Sequence, residues 1–189
     1  MAILKIYTFP DPVLKQKAEP VEAFDEQLAK LAADMLDTMY DAPGVGLAAN
    51  QVGVLQRIAV IDVDYDVEGE EEGIRKYVNQ NPRVLVNPEV VTRKGEFLFK
   101  EGCLSVPGYS EEVKRAEEIE IRYQDLQGQP QTLQGNALLA VAIQHEIDHL
   151  DGKLFIDRLS LAKRSLIKGK IKKDRNTAQF ERSRFHVEL

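Results

Sequence analysis

Cysteine occurs once in the 189 residues, at Cys103, which excludes an intramolecular disulfide and suits a reducing compartment. Histidine is scarce as well, with three copies in all. No apolar run approaches the roughly 20 residues needed to cross a bilayer. The opening Met1-Ala2-Ile3-Leu4-Lys5-Ile6-Tyr7 lacks the charged-then-apolar layout of a signal peptide, so a cytoplasmic location without membrane association is expected. There is no internal repeat either, and no shift in composition divides the chain before its basic end.

What is present is ordinary for a soluble domain: 43% hydrophobic and 30% charged residues, in a chain long enough to bury a core. The net charge of -6 is unevenly placed. Residues 160–189 hold 9 Lys and Arg against 3 Asp and Glu, net +6, leaving 16 basic and 28 acidic residues, net -12, for residues 1–159. An acidic body repels phosphate, which argues against DNA, whereas the tail alone suits RNA. The chain is therefore divided into one domain over 1–160 and a basic helix or tail over 161–189.

Phe24, Leu28, Leu31, Met35 and Met39 recur at helical spacing, so residues 24–41 are predicted to form an amphipathic helix, stopped by Pro43 and Gly44. Strands are expected at 57–62, 84–86 and 118–123, the last turning through Gln127-Gly128-Gln129 onto 131–133. Residues 62–72 contain seven acids in eleven positions. A calcium loop would need Gly at its sixth position and Glu at its twelfth, where Val67 and Gly73 stand, so this segment is expected to be a solvated loop. In the tail, Leu161, Leu166, Ile167 and Ile171 are expected to give a terminal helix one apolar side. Short strands without regular βαβ alternation indicate an α+β fold. Its small antiparallel or mixed sheets would surround a central helix, flanked by N-terminal and C-terminal helices.

That central helix carries the chemistry. His145 and His149 stand four apart with Glu146 between them, at the end of an apolar run from Ala137 to Ile143. Positions i and i+4 share a helix face, so both imidazoles reach one ion while Glu146 sits beside it, placed for proton transfer. Burying these groups unpartnered would cost about several kcal/mol for each unpaired charge, which speaks against chance spacing.

A catalytic site of this kind needs a third protein ligand. The metzincin continuation requires His where Phe155 stands, and a thermolysin-like glutamate would have to be Glu181 or Glu188, far out in the tail. Cys103 remains, in Glu101-Gly102-Cys103-Leu104-Ser105, where glycine gives the backbone room to approach a metal. A thiolate ligand makes the ion less Lewis-acidic than three imidazoles would, which suits ferrous iron as readily as zinc.

Three separated segments, Gly44-Val45-Gly46-Leu47-Ala48-Ala49-Asn50-Gln51, Glu101-Gly102-Cys103-Leu104-Ser105 and Gln144-His145-Glu146-Ile147-Asp148-His149, resemble the three signature motifs of the peptide deformylases in order and approximate spacing. The resemblance spans roughly residues 5–160. It implies a metallohydrolase that removes the formyl group from the initiator N-formylmethionine of nascent polypeptides, releasing formate by attack of metal-held hydroxide. Cys103, His145 and His149 would hold one Fe2+, replaceable by Ni2+, Co2+ or Zn2+. Glu146 would move protons, while the Gln51 amide and the Leu104 backbone N–H would meet the developing oxyanion.

By the same resemblance, Val45, Gly46 and Leu47 wall a site narrow enough for formyl. Phe99, Glu101, Gly102, Leu138, Val141 and Ala142 are expected to join Val45 around the substrate, and the Gly46 carbonyl to accept from its amide. Asp148 or Glu101 is expected to pair with Arg115, holding the Cys103 loop against the helix. A C-terminal extension docks some bacterial members on the ribosome, and the basic tail here is a candidate for that contact. Two rivals stand beside this: a small zinc peptidase that leaves Cys103 unused, and a binder of formylated peptides without turnover.

Overall fold

A computed structural model describes residues 2–71 and 74–174. Asp25 starts the first helix by accepting the Gln27 and Leu28 N–H groups, and α1 runs Glu26–Asp41, within a residue or two of its predicted span. Its stripe of Leu28, Ala32, Met35 and Met39 is buried. The strands that follow are β1 (Gly46–Ala48), β2 (Ile58–Ile61), β3 (Asp66–Glu71), β4 (Ile74–Val78), β5 (Arg83–Lys94), β6 (Phe97–Glu101), β7 (Glu111–Arg115), β8 (Glu118–Gln124) and β9 (Pro130–Asn136). Helix α2 spans Ala137–Leu150 and α3 spans Leu161–Asp174.

Five strands form one sheet in the order β1-β2-β5-β8-β9, and β3-β4 and β6-β7 are separate hairpins. Among the described residues every strand pairing is antiparallel, so the mixed alternative falls away, and the one parallel contact is an isolated bridge between Glu19 and Gln56. Strand β2 is buried at all four positions because both faces of the sheet are covered. Its Ile58 and Val60 join the cluster of α1, while Ile61 joins Ala140, Ala142, Ile143 and Ile147 of α2. A helix so enclosed is apolar nearly all round, which is why the segment before His145 shows no polar face.

Two expectations change. The acidic segment is not a loop throughout: Asp66–Glu71 pairs with Ile74–Val78, since Val67 lies opposite Tyr77 and the run of acids hid the alternation. The apolar side of α3 is narrower than expected, with Ile167 and Ile171, one turn apart, buried while Leu161 and Leu166 point outward. Residues 175–189, the rest of the basic tail, lie outside the described residues.

Candidate metal centre

Helix α2 delivers His145, Glu146 and His149 into the space between itself and the segment after β6. Its end is sharp. Gly152 adopts φ +72° and donates to the His149 carbonyl, and a Cβ there would strike the Lys15 backbone, so only glycine fits at this close approach. Cys103 arrives from the turn after β6, and its Sγ lies 3.1 Å from His149 Nε2. The Cys103, His145 and His149 ligand atoms all fall within 4.8 Å of one another. That separation suits one ion bonded to each at about 2.0–2.3 Å.

The His145 tautomer follows from its surroundings. His145 Nδ1 lies 2.9 Å from Glu101 Oε2, so Nδ1 carries the proton and Nε2 keeps its lone pair for the site. Glu101 can accept there because Arg115 grips it through Nε at 2.5 Å and Nη2 at 2.8 Å. Burial favours the neutral acid, yet Arg115 and His145 hold the Glu101 carboxyl below its ordinary value. Arg115 Nη1 also reaches Asp148 at 2.6 Å, and Asp148 in turn takes Arg158. One guanidinium with no exposed side-chain surface thus ties β6, β7 and α2 together. It meets both carboxylates named as its candidate partners.

Glu146 is 4% exposed, and its Oε2 has no hydrogen-bond partner. Burial pushes its carboxyl up to about 7, against the lowering influence of His145, which poises it to take and release a proton near neutrality. Gly46 of β1 faces it so closely that a Cβ would collide with Glu146 Oε1. The Gln51 amide has a determined orientation. Its Oε1 accepts the Ala48 N–H at 2.8 Å, so the other end must be the donor, with Nε2 3.2 Å from Ser105 Oγ and 3.8 Å from Cys103 Sγ.

A pocket opens beside these groups, lined by Val45, Gly46, Gln51, Glu101, Gly102, Cys103, Leu104, Leu138, Val141, Ala142, His145 and Glu146. Two expected members stand elsewhere. Leu47 is fully buried on the α1 face of the sheet, because alternation along β1 turns it away from its neighbour Gly46. Phe99 packs edge-on against Phe97 in the β6-β7 hairpin, outside the lining. Gly44, quoted in the first motif but given no place in the site, does line the pocket, and a Cβ on it would press into Leu104. The pairing of Gly44 with Gly46 in one turn was the available signal. Asn50, in the same motif and likewise given no role, donates its amide to the His149 carbonyl at the end of α2.

Residues 3–165 match the family model for polypeptide deformylase. The chain belongs to that family. A curated peptide deformylase of Alkalilimnicola ehrlichii is 51% identical over 173 residues, covering 92% of this chain and 91% of the relative. Peptide deformylase 2 of Xanthomonas axonopodis pv. citri is 51% identical over 178 residues, covering 93% and 98%. Among solved structures, a peptide deformylase from Legionella pneumophila superposes with a TM-score of 0.81 at 47% identity, covering 93% of this chain and 96% of that one. One from Ehrlichia chaffeensis in complex with actinonin gives 0.83 at 40%, covering 94% and 100%. The deformylase fold thus accounts for the α+β architecture, and the site is that of a metal-binding hydrolase. The zinc-peptidase reading is not favoured, for it leaves out a cysteine that stands in the ligand cluster.

The donor set fits the metal that the family implies. One sulfur and two imidazole nitrogens suit iron, nickel, cobalt or zinc and are poor partners for magnesium or calcium, which prefer oxygen. No described helix is long and apolar enough to cross a membrane.

Proposed function

We propose that the chain hydrolyses the formyl amide of N-formylmethionyl peptides in the cytoplasm with ferrous iron held by Cys103, His145 and His149. The observation that carries this reading is the buried, unpartnered Glu146 Oε2 beside the Cys-His-His cluster, inside a pocket walled by glycine backbone. When bound, such an ion supplies Lewis acidity, polarising a carbonyl oxygen and making water nucleophilic near neutral pH.

The chain's own groups complete the reaction. Glu146 Oε2 accepts the proton of the attacking water and later delivers one to the departing amine, so the C–N bond breaks to leave formate and a free N-terminus. Gln51 Nε2 and the Leu104 N–H meet the negative charge that develops on the formyl oxygen. Support for Gln51 comes from its amide, held at one end by Ala48, which needs no reorganisation to donate at the other. Strand β1 is an edge of its sheet, so outward backbone groups near Gly46 are open to an extended peptide, whose amide the Gly46 carbonyl would accept. Leu138, Val141 and Ala142 project from one face of α2 and give the methionine side chain an apolar floor. Gly46, with no side chain of its own, leaves the narrow approach that admits formyl and rejects acetyl.

Residues 1–160 would form the catalytic domain and 161–189 a basic appendage suited to salt-sensitive contact with the ribosome. The deciding experiment measures formate release from formyl-Met-Ala-Ser and its acetylated counterpart, using anaerobically purified, iron-loaded protein. Release from the formyl peptide alone is the expected result. Absence of release with iron bound would refute the catalytic reading and leave a silent peptide binder.

A further inference from the structure

The β3-β4 hairpin takes no part in the chemistry above, yet its base reaches the pocket wall. Tyr65, immediately before β3, donates its hydroxyl to the Gly44 carbonyl at 3.1 Å. The next carbonyl along, that of Val45, accepts the Asp62 N–H at 3.0 Å. Gly44 and Val45 both line the pocket, so two successive peptide planes of its wall are held from outside by the segment leading into the hairpin.

That segment is itself braced. The rings of Tyr40, Tyr65 and Tyr77 surround one another with centroids 5.2, 5.3 and 5.6 Å apart. Tyr77 of β4 donates to the Tyr40 carbonyl at 2.5 Å, and Tyr40 donates to Asp62 Oδ2 at 2.6 Å. The fully buried Asp62 also accepts the Asn81 N–H at 2.8 Å and the Asp64 N–H at 3.0 Å. Packing alone would be served by phenylalanine. The Tyr65 hydroxyl adds what phenylalanine could not, a hydrogen bond to a carbonyl on the substrate pocket.

We propose that Tyr65 is a positioning residue which, through Gly44, sets the pocket wall that receives the first side chain of the substrate. The hairpin thereby governs how well substrate binds rather than how fast its bond breaks. For the identity of that substrate the inference rests on the deformylase reading.

Tyr65→Phe tests it, since the ring and its packing remain. Losing one neutral hydrogen bond to the wall should raise KM for formyl-Met-Ala-Ser about fivefold. The kcat and the iron content should stay unchanged, and backbone amide exchange over residues 42–48 should quicken several-fold. Lys76→Ala, which removes only an exposed pair with Glu68 on the same hairpin, should move none of these. A fall in kcat alone, or a lower melting temperature with KM and exchange both unmoved, would overturn the proposal. The exchange measurement separates the two ideas: faster exchange in the variant beside a wild type that releases no formate would sink the deformylase reading while the wall-setting contact stands.

Discussion

Replacing Arg115 by alanine should damage the metal centre without touching a ligand. The guanidinium is fully enclosed and neutralises two buried carboxylates, but the two are left in different positions when it goes. Asp148 keeps Arg158, whereas Glu101 keeps only His145. Removing one partner of a buried pair costs about 3–5 kcal/mol, because the remaining charge is stranded. For a chain of this size each kcal/mol lowers the melting temperature by about 2–4 °C, so a fall of about 10 °C is expected. Glu101 will relieve its own burial by taking up a proton, which weakens its hold on His145 Nδ1 by removing the charge that assists that hydrogen bond. Iron content after dialysis should therefore fall together with stability, and Arg115→Lys should recover only part of both, since one ammonium cannot reproduce the fork that spans two carboxylates. Calorimetry and elemental analysis on the same samples check this. Unchanged iron and an unchanged melting temperature in Arg115→Ala would refute the reasoning.

Gln51→Glu preserves the acceptor for the Ala48 N–H but replaces the donor at the other end, so kcat should drop about 10²–10³-fold with KM nearly constant; steady-state formate assays read this directly. Gly46→Ala forces a methyl into Glu146, and should depress kcat sharply in those assays while iron is retained. Acid should loosen the fold through Glu101 and Asp148, whose folded values lie below their ordinary ones. Such groups contribute their full stability above the unfolded value, about 4, and lose it as pH falls through the folded value. Melting temperature should decline as pH falls below about 4, and a profile that stays flat from about pH 5 downward would contradict these pairings.

The histidines of α2 were legible because a four-residue spacing survives any detail of packing, and α1 because its apolar stripe meets the sheet on one side only. The β6-β7 hairpin was missed: Phe97 and Phe99 are only half-buried, and a two-stranded hairpin has no deep core to impose a clear pattern. Leu47 could not be assigned to a face from sequence, since β1 has three residues and its register is set by Ile61, Val60 and Ala59 across the ladder. The Arg115 partners were nameable as charges, but that one side chain meets both depends on β7 and α2 approaching each other. Such an approach is a product of the whole fold. The tyrosine cluster had no sequence signal, because its rings come from α1, from the segment before β3 and from β4.

The cluster behind Cys103 joins Leu14, near the start of the chain, to Ile167 and Ile171, in its last described helix. Phe155 of the same cluster stacks on the His145 ring. During synthesis, which runs from the N-terminus, Leu14 must wait for Leu154, Phe155 and Ile156 to emerge, and α3 joins this cluster last. The binding centre of this protein is then among the last parts of the molecule to become solid, since the residues that back its ligands come from both ends of the described chain.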